Sequence, residues 1–404
     1  MFIRNKLAAR ASYPADLRAI MNLQRAEESR EWLSHWRMLS PEPTPLVSLP
    51  GVARTLRLGS VLLKDESKRS PLGSFKALGA SIALVRLILR HFPSAGYTAQ
   101  SLFAGEHAQA LKDFTVVSAT AGNHGCSLAA AARDIGCRCV IVLSEQVNPD
   151  REKAIASHGA EIVRVKGDYD DSVEHAESLA KSEGWLVVSD TSYEGYEEIP
   201  RDVMQGYATI PAEAIDQSNA SNDAEPPYTH VFLQGGVGGM AAGLAAYFWE
   251  RYGARRPTLI VVEPEQADCL YQSALAGHAA SATGTIDSVM AGLACGETSP
   301  LAWRFLQPSA DFFMTISDAS AISAMKVLAY GEYGDTPVVS GGSGAAGLAA
   351  LIELANDASL REDVGLDESS KVLLINTEGA TAPTDYLAQV GKTADEILKA
   401  AAEA

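Results

Sequence analysis

Short runs rich in β-branched residues alternate along most of this chain with alanine-rich stretches of helical period, and glycines mark the joins. Residues 114–119 read as a strand, 127–135 as a helix, 139–143 as a strand, 151–159 as a helix and 161–165 as a strand. The rhythm returns at 230–234, 238–252, 258–263, 318–329, 344–355 and 371–376. Parallel neighbours need a crossover long enough to hold a helix, so this alternation predicts parallel sheets with covering helices. The expected fold is α/β: two domains of open, twisted, mostly parallel sheet, helices on both faces, and a cleft between them. Residues 216–227 are rich in Ser, Asn, Asp and Pro and carry no period, so they read as an exposed loop. The charged mix at 363–371 reads as a solvated connection, and no repeat of fixed period is present.

A chain of 404 residues, 47% of them hydrophobic, is long enough for two such domains. Its formal net charge of −17 repels phosphate backbones and anionic lipid, and no cluster of Lys and Arg reverses this locally. Nucleic acid is therefore not an expected partner. No apolar run reaches the ~18 residues of a bilayer span, since Arg133 and Asp134 interrupt the alanine-rich stretch from Ser127, so no membrane association is expected. The first fifteen residues, with Arg4, Lys6 and Arg10 and no acid, faintly resemble an organelle-targeting segment but lack the apolar region and cleavage box of a secretory signal. Five cysteines in so long a chain do not make a disulfide framework, and a reducing cytoplasm is expected. Cys137 and Cys139 flank one residue of a strand and share a face, which favours core packing over metal binding; no metal site is expected. Whether Cys269 and Cys295 meet is left open. Asn219-Ala220-Ser221 matches a glycosylation acceptor but reads as loop composition.

Three segments carry chemistry. In Gly73-Ser74-Phe75-Lys76, which follows Lys64-Asp65-Glu66-Ser67-Lys68-Arg69, the lysine enters a helix after a Gly-Ser turn. Desolvation and a nearby cation would lower its amine's pKa and make it able to condense with an aldehyde. On its own such a lysine is usually a solvated surface group. Ser118-Ala119-Thr120-Ala121-Gly122-Asn123-His124-Gly125 ends one strand and opens the next helix. Its small residues expose amides at a helix N-terminus, a natural carboxylate site, although a plain βα turn looks the same. Gln234-Gly235-Gly236-Val237-Gly238-Gly239-Met240 sets four glycines between a strand and an alanine-rich helix. Such a loop wraps an anion with its amides, and phosphate is the expected guest. No Gly-Lys-Ser/Thr follows it and it is not a clean dinucleotide fingerprint, so ATP and NAD lose ground.

The order of these segments, followed by a hydroxyl residue on a late strand, resembles the fold-type II pyridoxal 5'-phosphate (PLP) enzymes of the tryptophan synthase β-like superfamily, which include serine and threonine dehydratases and cysteine synthase. Within that group the chain resembles diaminopropionate ammonia-lyase over most of its length. The residues that carry this are 64–69, Ser189-Asp190-Thr191 with Gly195-Tyr196-Glu197-Glu198-Ile199-Pro200, Met204-Gln205-Gly206-Tyr207, Met290-Ala291-Gly292-Leu293-Ala294-Cys295-Gly296-Glu297 and Thr377-Glu378-Gly379.

The resemblance implies that Lys76 holds PLP as a Schiff base and then removes the substrate's Cα proton. Asn123 would hydrogen-bond the cofactor's phenolic oxygen, the amides of Gly235, Gly236, Val237, Gly238, Gly239 and Met240 its phosphate, and Thr377 its ring nitrogen. Ser118, Thr120, Ala121, Gly122 and His124 would surround the substrate carboxylate. Asp190 would recognise a β-ammonium group, against the plainer reading of a strand-end cap. The reaction implied is elimination of ammonia from 2,3-diaminopropionate to give pyruvate and two ammonia. The implied assembly is a homodimer, with residues 1–85 and 205–404 as a large cofactor-binding domain and 86–204 as a small mobile one. Family members acting on both enantiomers carry Asp where Ala121 stands, so the L-enantiomer is the expected substrate. A second departure is Gly342, where the subfamily often has Glu. The rival readings are a fold-type II dehydratase or β-replacement enzyme acting on serine, threonine, hydroxyaspartate or O-acetylserine, and a catalytically silent binding protein of the same fold.

Overall fold

The computed structural model describes residues 1–145, 147, 149–167, 169–218 and 224–403. Eleven strands among the described residues form two sheets. The larger contains β1 (Phe2–Arg4), β2 (Leu46–Ser48), β3 (Ser60–Asp65), β8 (His230–Gln234), β9 (Thr258–Pro264), β10 (Phe312–Ile316) and β11 (Lys371–Asn376), in the order β1-β10-β9-β8-β11-β3-β2. The smaller contains β4 (Thr115–Ala119), β5 (Arg138–Ser144), β6 (Glu161–Val165) and β7 (Leu186–Val187), in the order β6-β5-β4-β7. Pairing is parallel throughout except at the two rims of the larger sheet, where β1 and β2 run antiparallel to their neighbours. These three-residue rims are too short to show a period in sequence. β1 also gives the basic first residues a place: Phe2 pairs with Met314, so they are an edge of the sheet.

Strands β8 to β11 are buried on both faces, which is why they read as unbroken apolar runs. Val231, Leu233, Val261 and Ile375 point into one core, while Phe232, Ile260, Val262 and Leu374 point into another. The first core continues to the smaller sheet through Val116, Ile141 and Leu143. It is filled by α1 (Lys76–His91), α2 (Asn123–Ile135), α3 (Glu198–Tyr207) and α4 (Gly239–Tyr252). Glycine lets α1 and α3 approach closely: a Cβ on Gly206 would stand 2.3 Å from the Leu78 carbonyl oxygen.

Two readings change. Asp216 and Gln217 are not loop residues but the end of helix Thr209–Gln217, while Asn219-Ala220-Ser221 lies outside the described residues. The block 64–69 is structural in its charges: Lys64, Glu66 and Arg69 are all buried. Lys64 donates to Glu213 and the Thr44 carbonyl, and Arg69 bridges Glu66 and Glu213. Burial favours the neutral amine of Lys64, while the two cations hold Glu213 below the usual carboxylate range against its own desolvation. Asp65 accepts from the Asn376 amide at 2.7 Å and so ties the end of β3 to the end of β11.

Candidate active site

Lys76 is the first residue of α1, and what precedes it is stitched to the end of β11. The Phe75 amide donates to the Thr377 carbonyl at 3.1 Å, the Gly379 amide donates to the Gly73 carbonyl at 2.9 Å, and Ser74 bridges to Glu378. Lys76 and Thr377 are therefore held near each other for a backbone reason. The Lys76 Nζ donates to Asp190 Oδ2 at 2.5 Å, and the pair keeps 20% and 24% side-chain exposure. Burial opposes charge on both, but each partner overrides it: the carboxylate holds the amine above its ordinary range, and the amine holds Asp190 well below the usual carboxylate range. The amine is thus not lowered as expected from sequence, because its neighbour is an anion and not a cation. It becomes a nucleophile or base only when that ion pair is released or neutralised.

The glycine loop lies against the backbone of Asp190. A Cβ on Gly239 would stand 3.6 Å from the Asp190 carbonyl oxygen. Gly236 (φ 62°) and Gly238 (φ 99°) are left-handed, a conformation that costs a side-chain-bearing residue free energy and that turns successive amides inward. Gly235 is tethered to the Val262 carbonyl, and a Cβ there would meet Glu263 at 2.6 Å. α4 starts at Gly239, so the first-turn amides of Gly239, Met240 and Ala241 have no intrahelical acceptor. Val237 is anchored through its carbonyl to the Ser299 amide. Cys269 and Cys295 flank this loop as free thiols: the Cys269 thiol donates to the Gly236 carbonyl at 3.4 Å, and burial pushes the Cys295 thiol up to about 11.

The third segment closes the ring. Thr120, Ala121 and Gly122 form the turn between β4 and α2, and Asn123 and His124 open α2. His124 is buried, its Nε2 bonded to the Val188 carbonyl and its Nδ1 3.9 Å from Asp190 Oδ2. Asn123 donates at 2.6 Å to Oε2 of Glu378, the residue that follows Thr377 in the chain. Ser118 is the exception: it lies inside β4, paired with Ile141, and not in the turn. Tyr207, at the end of the Met204-Gln205-Gly206-Tyr207 block, also reaches Lys76. Gly342 faces the backbone of Val289, 2.6 Å from a Cβ placed on it, so it fits helix packing at the start of Gly342–Asn356.

The donor set fits PLP. Left-handed glycines and a helix N-terminus suit a dianionic phosphate, a half-buried lysine stands near them, and Asn123 and Thr377 offer polar groups for a ring. Strand-end glycine loop, helix-start lysine and strand-end hydroxyl together define a fold-type II PLP enzyme, and a family model described as pyridoxal-phosphate dependent enzyme matches residues 38–378: the chain belongs to that family, with PLP as its cofactor. Its particular branch is that of the diaminopropionate ammonia-lyases. The enzyme of Salmonella typhimurium strain LT2 is 39% identical over 362 residues, covering 87% of this chain and 89% of that protein. A crystal structure of holo diaminopropionate ammonia lyase from Escherichia coli superposes with a TM-score of 0.86 at 34% identity, covering 96% of both chains. Another, in complex with an aminoacrylate-PLP azomethine reaction intermediate, gives 0.84 with the same identity and coverage. No group of three or more metal-ligating side chains occurs, and no helix is long and apolar enough to cross a membrane, among the described residues.

Proposed function

We propose that this chain eliminates ammonia from L-2,3-diaminopropionate, giving pyruvate and two ammonia after hydrolysis of the released enamine. The observation that carries the reading is the Lys76–Asp190 pair at the mouth of the glycine loop: an amine placed to move a proton beside a carboxylate placed to hold an ammonium. PLP would be held by the amides of Gly236, Val237, Gly239 and Met240, those of Gly235 and Gly238 being bonded to the Val262 and Gly235 carbonyls, and by Asn123, Thr377 and Lys76, and it would supply the electron sink that makes the Cα proton removable. The Lys76 Nζ takes that proton. Thr120, Ala121 and Gly122, with the first amides of α2, orient the α-carboxylate. Asp190 keeps the β-nitrogen protonated, so that when the Cβ–N electron pair returns to nitrogen it departs as neutral ammonia. A hydroxyl at Thr377, unlike a carboxylate, does not hold a ring nitrogen protonated.

The test is a panel of D- and L-diaminopropionate, serine, threonine and hydroxyaspartate, read as keto acid and ammonia. Two ammonia per keto acid from diaminopropionate is expected, and a single ammonia from a preferred hydroxy amino acid would move the chain to the dehydratases. Loss of the visible absorbance of the lysine-bound cofactor in Lys76→Ala separates an enzyme from a silent scaffold. Ala121 has no proton to exchange on the opposite face, so the D-enantiomer is a poor substrate; equal turnover of both would refute this. The same reading places the chain in the cytoplasm as a homodimer, with 86–204 moving against 1–85 and 205–404, supported by family membership alone.

A further inference from the structure

The Lys76 Nζ is enclosed by more than Asp190. It lies over the rings of Phe75 and Tyr207, 5.3 Å and 5.8 Å from their centroids, and those rings are 4.7 Å apart. His124 turns its Nδ1 to the same carboxylate oxygen at 3.9 Å. Its Nε2 must carry hydrogen to donate to the Val188 carbonyl, so in the neutral ring Nδ1 is a bare acceptor. Among the described residues neither His124 Nδ1 nor the Tyr207 hydroxyl meets a partner at hydrogen-bond geometry, the phenol's charged neighbours being Lys76 and Asp190, although the two residues are only 3% and 1% exposed. Buried acceptors left this way cost free energy until a donor arrives. One carboxylate, two aromatic faces and two unpaired polar atoms match a cation that donates in several directions; a hydroxyl, with one proton to donate, satisfies far less of the shell. The position of Tyr207 is built into the backbone of α1. A Cβ on Gly79, one turn beyond Lys76, would stand 2.5 Å from Tyr207 Cε1 and 2.7 Å from Cζ, so only glycine there admits the phenol.

We infer that Tyr207 is a specificity-determining residue which, with Asp190 and His124, closes an ammonium pocket occupied in turn by the Lys76 nitrogen and by the β-ammonium of a diamino acid. The inference rests on the ammonia-lyase reading and extends it from one carboxylate to a shaped site. Tyr207→Leu in the holoenzyme removes ring and hydroxyl. The kcat/KM for L-diaminopropionate should fall about tenfold relative to that for L-serine, mainly through KM, as expected for a desolvated cation–π contact. Gly79→Ala, which displaces the ring without deleting it, should shift the ratio the same way. Equal losses on both substrates, or none, would overturn the inference, since a merely structural tyrosine does not sort substrates by charge. A measurement without turnover uses Lys76→Ala, which frees the pocket of its lysine. Calorimetric titration with methylammonium chloride, against sodium chloride at equal ionic strength, should show binding that Lys76→Ala/Tyr207→Leu weakens about tenfold. Absence of binding to Lys76→Ala would dispose of the pocket. A wild-type enzyme that yields no keto acid from diaminopropionate would instead sink the ammonia-lyase reading, leaving methylammonium to judge the pocket by itself.

Discussion

Lys76 and Asp190 are each made ionic by the other, and the pH range over which this helps the fold follows from the two directions. Asp190, depressed below its ordinary 3.8, contributes stability that is present above that value and lost as pH falls through its folded value. Lys76, raised above its ordinary 10.5, contributes stability that is present below that value and lost as pH rises through its folded one. In cofactor-stripped protein, Asp190→Asn should therefore lower stability by a constant amount between about pH 5 and 10, and the gap should close in stronger acid. Because the pair is partly exposed, water screens it, and urea denaturation should place the gap at about 1 kcal/mol. The sequence showed the lysine and the aspartate as separate hypotheses 114 positions apart, and could not show that the first would be charged by the second.

At the scale of elements, two buried carboxylates hold the loops that the site depends on. Glu213, on the helix Thr209–Gln217, satisfies both Lys64 and Arg69, which flank the Asp65 link to β11. Removing it leaves buried Lys64 without its carboxylate and Arg69 with Glu66 alone, so Glu213→Ala should cost about 3–5 kcal/mol in chemical denaturation, far more than any surface ion pair. Glu263, at the end of β9, accepts from the Leu270 and Tyr271 amides and packs under Gly235. Burial pushes its carboxyl from 4.5 up to about 8, so the native protein keeps a proton that the unfolded chain gives up above its ordinary value. Stability then falls as pH rises from about 5 to 8, and Glu263→Gln should gain on the wild type across that window; a flat difference would show the group ionised in the fold. The strand–loop–helix punctuation around Gly235 to Met240 was legible in sequence because left-handed turns and helix starts are local events. The role of Lys64 and Arg69 was not, since their partner lies 149 and 144 residues away on another helix.

For the whole molecule, residues at the ends of strands of both sheets and on four helices meet at one site, so a cofactor held there ties the larger sheet to the smaller. PLP bound at a hundredfold excess over its Kd should stabilise the protein by about 2.7 kcal/mol, seen as a lower melting temperature after the cofactor is stripped with hydroxylamine and restored on adding PLP back. If stripping leaves the melting temperature unchanged, this is not the cofactor's site. The sequence alone determined the strand–helix alternation, the parallel sheets and the three chemical segments, because hydrophobic period, glycine and helix starts act over a few residues. Tertiary structure alone decided that Asp190 meets Lys76, that Asn123 meets Glu378 and that Tyr207 fits over Gly79. Those contacts join residues far apart in the chain, and their energies exist only once packing has brought the charges and rings together out of water.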